Sequence, residues 1–467
     1  MAGYDRPVLT SPPADPKRTK RWALAAAGGL IELWAISCLV WPPGLDLARH
    51  VALFLAAWLC YLVAIRVVLT LPSSGVRRDL TLIFVVSLVV RGTLLFTPPT
   101  LSDDIFRAVW DARLVHAGIN PYELAPGAAE LATYRDTDIW PRVNAKEQRT
   151  PYPPLAELLG AAVYPLLPGR TLPFQALAAA LDLVTSGLLA LFLHRVGVDP
   201  RRALVVAWSP MGALQFAHSG HNDSAMTVAF VTAGLALTFR RHWMSVVWIS
   251  AAGLIKVVPV LALPVYIRET GWRGLAIAAL VLGFGTLPFV SVGPSALSGL
   301  LEEGREAQFN DSFHFAAQRL AGLALGDRGD VLATAAGLGL VLAAAGFASR
   351  AGTSPLSTLV AASRVLAAYV LVAAVVQPWY VAWLGPLMAV TLRAGKGWRP
   401  FAWTDGVGWL WFSGLSILTD LTYQPGGNEL WPWVRTLEYG PLWLFLALAA
   451  LSEMNRSQRN AKPLQIE

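Results

Sequence analysis

The sequence predicts an all-α fold that crosses a membrane many times, and three observations carry that prediction. Apolar residues make up 55% of the chain and charged residues only 14%. Apolar blocks of about 17 to 23 residues recur along it, the length a helix needs to cross roughly 30 Å of hydrocarbon. The short alternating segments of a membrane barrel are missing, and in lipid every spanning backbone group must find its partner inside the protein, which leaves helices. About 11 to 14 membrane helices are expected, with an extracytoplasmic loop bearing short surface helices. A net charge of +7 would suggest nucleic acid in a soluble chain. Here Arg and Lys fall mainly in short loops between apolar blocks, where membrane orientation places them, so membrane lipids rather than nucleic acid are the expected surroundings. Cys38 and Cys60 each lie inside an apolar block and read as small hydrophobes, with no disulfide or thiolate metal site implied.

Taken in order, residues 1–21 are rich in proline and polar groups and end in Lys17-Arg18-Thr19-Lys20-Arg21, the pattern of a disordered cytoplasmic tail. The apolar run that follows is long and shows no small-residue cleavage pattern before Trp41-Pro42-Pro43, which predicts an uncleaved first helix. That helix, roughly 22–42, runs outward. A second, roughly 51–70, returns to a loop bearing Arg77 and Arg78, and a third, roughly 80–97, exits again. The parity puts a first external loop, 98–151, on the extracytoplasmic face and a second at 293–328. The basic pairs Arg201-Arg202 and Arg240-Arg241, together with Arg268, Arg350, Arg393 and the 454–467 tail, suit the cytoplasm. Residues 22–453 read as one transmembrane domain. The parity requires two interruptions, at Lys256-Val257-Val258-Pro259 and at Gln377-Pro378-Trp379-Tyr380. Broken membrane helices face protein or a wet cavity, because freed backbone groups cannot face lipid. The segment Tyr152–Pro168 spans, re-enters or lies along the interface.

The first external loop carries the densest chemistry. Leu101-Ser102-Asp103-Asp104-Ile105-Phe106-Arg107-Ala108-Val109-Trp110-Asp111-Ala112-Arg113 holds five charges, and Gly118-Ile119-Asn120-Pro121-Tyr122 follows as a turn back toward the bilayer. A helix beginning near Ser102 sets Asp104, Arg107 and Asp111 on one face toward a cavity, with Phe106, Val109 and Trp110 turned to lipid or neighbouring helices. The competing explanation is local: Ser102 caps the helix, the aspartates complement its dipole, and Asp111 pairs with Arg107. Other polar groups are stranded in apolar sequence. Lys256 lies at a helix break, where an ammonium needs an anion such as phosphate, unless it snorkels to the interface. His218-Ser219-Gly220-His221-Asn222-Asp223 links two apolar runs. Its two histidines and aspartate are a weak metal pattern, equally suited to hydrogen bonding a sugar or phosphate or to a polar turn. The aromatic pair Trp379-Tyr380 serves either an interfacial belt or stacking on a sugar or headgroup. Residues 293–328 carry Glu302, Glu303, Arg305, Asn310, Asp311 and His314, enough polarity for an acceptor contact.

These residues resemble a family. Ser102-Asp103-Asp104-Ile105-Phe106-Arg107 with Trp110-Asp111-Ala112-Arg113, Gly118-Ile119-Asn120-Pro121-Tyr122 and Thr150-Pro151-Tyr152-Pro153-Pro154-Leu155 are similar to the first external loop and following helix of GT-C type membrane glycosyltransferases. The likeness is to the bacterial mannosyltransferase-like members that use polyprenyl-phosphate sugars. Gly220-His221-Asn222-Asp223, Lys256-Val257-Val258-Pro259 and Pro378-Trp379-Tyr380 are similar to further landmarks of that family. The resemblance implies transfer of a sugar, mannose first, from a polyprenyl-phosphate donor to a lipid or glycan hydroxyl on the extracytoplasmic face of the bacterial plasma membrane, with inversion. A lipid phosphate is already a good leaving group, so one carboxylate and a phosphate clamp suffice. Asp104 is the expected base, with Asp103 its support or alternative. Lys256 is the leading phosphate contact, with Arg107 or Arg113 assisting. Asp111, Asn120, Tyr122, Tyr152, His221, Asn222, Asp223, His314, Gln377, Trp379 and Tyr380 are expected to bind substrate, with no cofactor and no metal. The rival class is a lipid or solute transporter, for which broken helices and a midplane lysine form a path. A transporter needs polar groups reachable from both faces and often shows two related halves; here the polar clusters collect on one expected side and no internal repeat is visible.

Overall fold

The structure, a computed structural model, describes residues 16–297, 299, 309–397, 399–422 and 430–461. Glu302, Glu303 and Arg305 of the second expected loop lie outside the described residues, as do 1–15 and 462–467 of the two expected tails. Among the described residues there is no strand, only two isolated bridges. Seven helices among them are long and apolar enough to cross a membrane: Lys17–Val40, Leu47–Val68, Leu172–Arg195, Trp272–Gly293, Gly329–Ala348, Pro355–Val372 and Pro432–Asn455. The chain is an all-α polytopic membrane protein. Unbroken spans are fewer than the about 11 to 14 helices that apolar block lengths suggest, because several apolar runs fold as shorter helices, among them Asp223–Thr238 and Val258–Ile267.

The first helix begins at Pro16, inside the stretch expected to be a tail. Its basic residues are anchored: Lys20 Nζ donates to the Thr70 carbonyl at 2.8 Å and Arg21 Nε to Asp79 Oδ1 at 3.0 Å. The second helix starts at Leu47, where Asp46 caps it by accepting the Arg49 N–H at 3.0 Å. Loops then sort to two ends of the bundle. At one end Arg201 joins Asp79 and Asp199. Arg202 donates there to the Val390 and Leu392 carbonyls, and Arg268 donates to those of Ala351 and Gly352. At the other end the Gly44 N–H donates to Thr100 Oγ1 at 3.0 Å, and Thr97 and Thr100 bond His218. The basic loops at Arg201-Arg202 and Arg268 thus lie away from the acidic helix.

Both expected breaks are present, and the backbone groups they free are paired. Helix His242–Gly253 stops, and short helices Val258–Ala262 and Leu263–Ile267 follow. Pro259 brings no N–H to continue the ladder, and the freed Leu254 carbonyl accepts the Leu155 N–H at 2.9 Å. After Pro355–Val372 the chain runs extended, and Phe309 bonds Ala374 and Val376 at 3.0 and 2.9 Å. A third break was not anticipated: Leu204–Ala207, Pro210–Ala213 and a π-helical Leu214–His218 replace one long helix. There Arg91 Nη1 donates to the Ala207 carbonyl at 2.7 Å, Ser87 Oγ donates to the same oxygen at 2.8 Å, and Arg91 pairs with Asp182. The side chains of that pair are 1% and 2% exposed. A buried ion pair therefore holds irregular backbone inside the bundle.

Candidate active site

The acidic segment folds as helix Asp104–His116. Its first amide, Asp104 N–H, donates to Ser102 Oγ at 3.3 Å. Its end is set by Gly118, whose φ of +75° permits a Schellman closure with Ile119 N–H on the Leu114 carbonyl at 2.9 Å and Gly118 N–H on that of Val115 at 3.1 Å. Thirteen residues give about 20 Å, too short to span. The 119–151 segment folds over this helix rather than leading back to the bilayer. Phe106, Val109 and Trp110, expected to meet lipid or helices, are buried against Leu131, Ile139 and Val143 of that segment. At about 1.5–3 kcal/mol for each large apolar side chain fully buried, those contacts offset much of the cost of ordering a loop without regular structure.

That same folding corrects the expected roles of three charged residues. Arg107 and Asp111 pair with each other at 2.9 Å, both 1% exposed, and Arg107 also donates to the Ala145 and Gln148 carbonyls at 3.3 and 3.1 Å. The local explanation holds for them: they fasten the loop and do not face the cleft. Arg113 is occupied by Asp136 and the Tyr134 carbonyl. Tyr122 is buried, with its hydroxyl donating to the Tyr152 carbonyl at 2.6 Å. Asn120 Nδ2 donates to Ser291 Oγ at 3.0 Å. His314 belongs to another cluster, within 3.3 Å of Asp311 and of Asp330. Asp103 is exposed, with Lys146 and Arg142 as its electrostatic neighbours. Gln377 precedes the short helix Pro378–Leu384 and does not line the cleft.

The remaining expected residues converge. A cleft is bounded by Asp104, Tyr152, His221, Asn222, Asp223 and Lys256. The rest of its wall is chiefly apolar, including Ile105, Leu159, Phe174, Leu177 and Leu181. Asp104, 32% exposed, has Oδ1 bonded by Asn144 Nδ2 at 2.8 Å and Oδ2 facing His221 Nδ1 at 3.8 Å. His221 stacks on Trp379, ring centroids 3.8 Å apart and planes at 22°. Its pKa is lowered to about 4: burial is the largest influence, Asp104 pulls the other way, and Lys256 adds to the lowering. The imidazole is therefore neutral at physiological pH. Lys256 Nζ, 20% exposed, lies 3.5 Å from Asp223 Oδ1, which accepts the Trp383 Nε1–H at 2.8 Å. The ammonium also lies 5.1 Å from the Tyr380 ring centroid and 5.9 Å from that of Trp383. The anion that Lys256 required is thus a protein carboxylate, with the Tyr380 and Trp383 rings beside the ammonium.

The turn bearing His221 is placed by Gly220 and His218. Gly220 has φ +72°, and a Cβ there would lie 2.5 Å from Ile105 Cδ1. Thr97 Oγ1 donates to the Leu94 carbonyl and so accepts from His218 Nδ1 at 2.6 Å. His218 is therefore a strut between loops, not a substrate group. Gly220→Ala is expected to lower stability by about 1–2 kcal/mol through the left-handed backbone alone and to displace Ile105 in the cleft wall. Thermal unfolding of the purified variant checks this, and an unchanged melting temperature would refute it.

Three contributors were not anticipated. Trp383 follows Tyr380 by one turn of the short helix and was legible as part of the same aromatic face. Glu157, a carboxyl in the apolar run Pro154-Leu155-Ala156-Glu157-Leu158-Leu159, also gave a signal; it is buried, lines the cleft and accepts from Thr150 Oγ1 at 2.6 Å. Asn144 gave none, lying in a loop without periodicity.

A family model described as Alpha-(1->6)-mannopyranosyltransferase, N-terminal domain, matches residues 32–269. The match takes in Asp104, the His221-Asn222-Asp223 turn and Lys256, and stops short of the Trp379-Tyr380 break. No curated protein matches the chain.

Proposed function

Because the chain belongs to the alpha-(1->6)-mannopyranosyltransferase family, and is accordingly a glycosyltransferase of mannose, we propose that it takes mannose from a polyprenyl-phosphate donor and transfers it to a hydroxyl of a lipid or glycan acceptor. The observation that carries this reading is one cleft in which a part-exposed carboxylate, Asp104, and a part-exposed ammonium, Lys256, share a wall that is otherwise mainly apolar. A sugar nucleotide would demand polar surface for its base and ribose. A prenyl chain demands apolar surface, and the Phe174–Leu181 stretch supplies it on the membrane helix Leu172–Arg195, reaching about 10 Å along its axis. The acceptor hydroxyl gives its proton to Asp104 Oδ2 while its oxygen bonds the anomeric carbon. The carbon–oxygen bond to phosphate breaks, its electron pair stays on the phosphate, and single displacement inverts the centre. Lys256 meets the phosphate, and Asp223 and Trp383 hold it in place when the site is empty. Arg107 and Arg113 are not part of the clamp. The basic loops at the opposite end support an extracytoplasmic cleft in the cell membrane and a cytoplasmic amino terminus.

The test supplies purified protein with radiolabelled polyprenyl-phosphate mannose and an octyl α-(1→6)-dimannoside. Labelled trimannoside is expected. Lys256→Gln should raise the donor KM by about tenfold to a hundredfold, as for loss of a charged hydrogen bond worth about 1.5–3 kcal/mol. The double variant Lys256→Gln/Asp223→Asn, which leaves no uncompensated carboxylate, should show the same rise. Transfer from a sugar nucleotide but not from the lipid donor would overturn the donor assignment. Label crossing vesicle membranes with no product would favour a transporter instead.

A further inference from the structure

We propose that His221 is a positioning residue that acts through Asp104, holding the carboxylate with a neutral Nδ1–H donor; this rests on Asp104 being the base. Three observations carry it. His221 Nδ1 faces Asp104 Oδ2 at 3.8 Å, on the opposite side of the carboxylate from Asn144, so each oxygen has one neutral donor assigned to it. The ring cannot swing away, because it is stacked on Trp379 and lies on a turn fixed by Gly220. Its other nitrogen, Nε2, is buried without a hydrogen-bond partner, so Nδ1 is the ring atom left to interact with the carboxylate. The distance is longer than a hydrogen bond, as catalytic contacts often are before substrate closes the site.

Neutrality is part of the role. An imidazolium beside Asp104 would pair with the carboxylate and oppose its uptake of a proton. The groups facing His221 come from four segments: Asp104 from helix Asp104–His116, Lys256 from the break after His242–Gly253, Trp379 from the short helix Pro378–Leu384, and His218 from its own segment. Asp104 favours protonation, and burial and Lys256 oppose it, with the net effect a lowered pKa. Both donors to the carboxylate then leave it anionic and aimed, without neutralising it.

The experiment compares purified His221→Leu, His221→Asn and His221→Gln in the labelled transfer assay, with Asp104→Asn in parallel. His221→Leu should lower kcat by about tenfold to a hundredfold with the donor KM within about threefold, as for a misplaced base. The Asn amide nitrogen falls where Nδ1 lies, so His221→Asn should keep kcat within about threefold. The Gln amide reaches the place of Nε2, and His221→Gln should behave like the Leu variant. Equal loss in the Asn and Leu variants, or a Leu variant with wild-type kcat, overturns the proposal. Transfer retained by Asp104→Asn would remove the base itself, whereas an inactive Asp104→Asn beside a fully active His221→Leu removes only the part played by His221.

Discussion

Replacing Asp104 by Asn should reduce kcat for mannose transfer by about 10²- to 10⁴-fold, the range attributable to one positioned proton acceptor, while the protein remains folded in the membrane. The substitution conserves size. It keeps an oxygen for the Asn144 amide and removes a carboxylate that is 32% exposed and makes no close ion pair, so no buried charge is stranded. The donor KM should hardly change, because the proposed donor pose rests its phosphate on Lys256 and its prenyl chain on the apolar wall. Asp103→Asn is the matched control: Asp103 is exposed and does not line the cleft, so its loss should leave kcat within about threefold, the scale of a remote surface charge change. Steady-state rates with purified protein decide both. Should Asp103→Asn abolish transfer while Asp104→Asn retains it, the base has been assigned to the wrong carboxylate.

Breaking the buried pair between Arg91 and Asp182 should have the largest effect on stability. Arg91→Leu or Asp182→Leu alone leaves the partner charged, desolvated and unpaired, at a cost of about 3–5 kcal/mol. The position makes this severe, since Arg91 also serves the Ala207 carbonyl freed where the third helix break occurs. In the double variant Arg91→Leu/Asp182→Leu no charge remains, and much of the loss should be recovered. Recovery is incomplete, because Ser87 is left as the donor to Ala207, and an under-bonded buried carbonyl costs about 1–3 kcal/mol. Thermal inactivation half-lives in detergent compare the four proteins under one condition, which suits a membrane protein that unfolds irreversibly. If the double variant is less stable than either single one, the pair is net stabilising in a way that desolvation arithmetic does not capture.

Membrane spans were legible because lipid imposes one rule on every spanning residue, so Leu47–Val68 or Leu172–Arg195 announce themselves by composition alone. The breaks at Lys256 and at Gln377 were legible for the same reason, through a charge or a proline set in apolar sequence. The break at 204–218 was not. Its residues are nearly all buried and apolar, and its irregular backbone is sustained by Arg91, Ser87 and Tyr61 donating from distant helices, while its own Trp208 donates to the Ile83 carbonyl. No local pattern announces such partners.

Asp104, His221, Asp223 and Lys256 could be singled out from sequence because ionisable groups are costly near a membrane and persist there for a reason. Which of the charged residues in one helix faces the cleft was a matter for tertiary structure. Asp104 and Asp111 have equal claims by helical spacing, yet Asp111 is sealed with Arg107 beneath the 145–148 backbone while Asp104 stays part open beside His221. Sequence alone determined that this chain is a helical membrane protein with a charged helix in its first long loop, since burial in lipid reads residue by residue. Which carboxylate stays open to the cleft and which one meets Lys256 were decided only when loops distant in the chain closed over one another, because a hydrogen bond or ion pair depends on which atoms meet and not on their spacing along the chain.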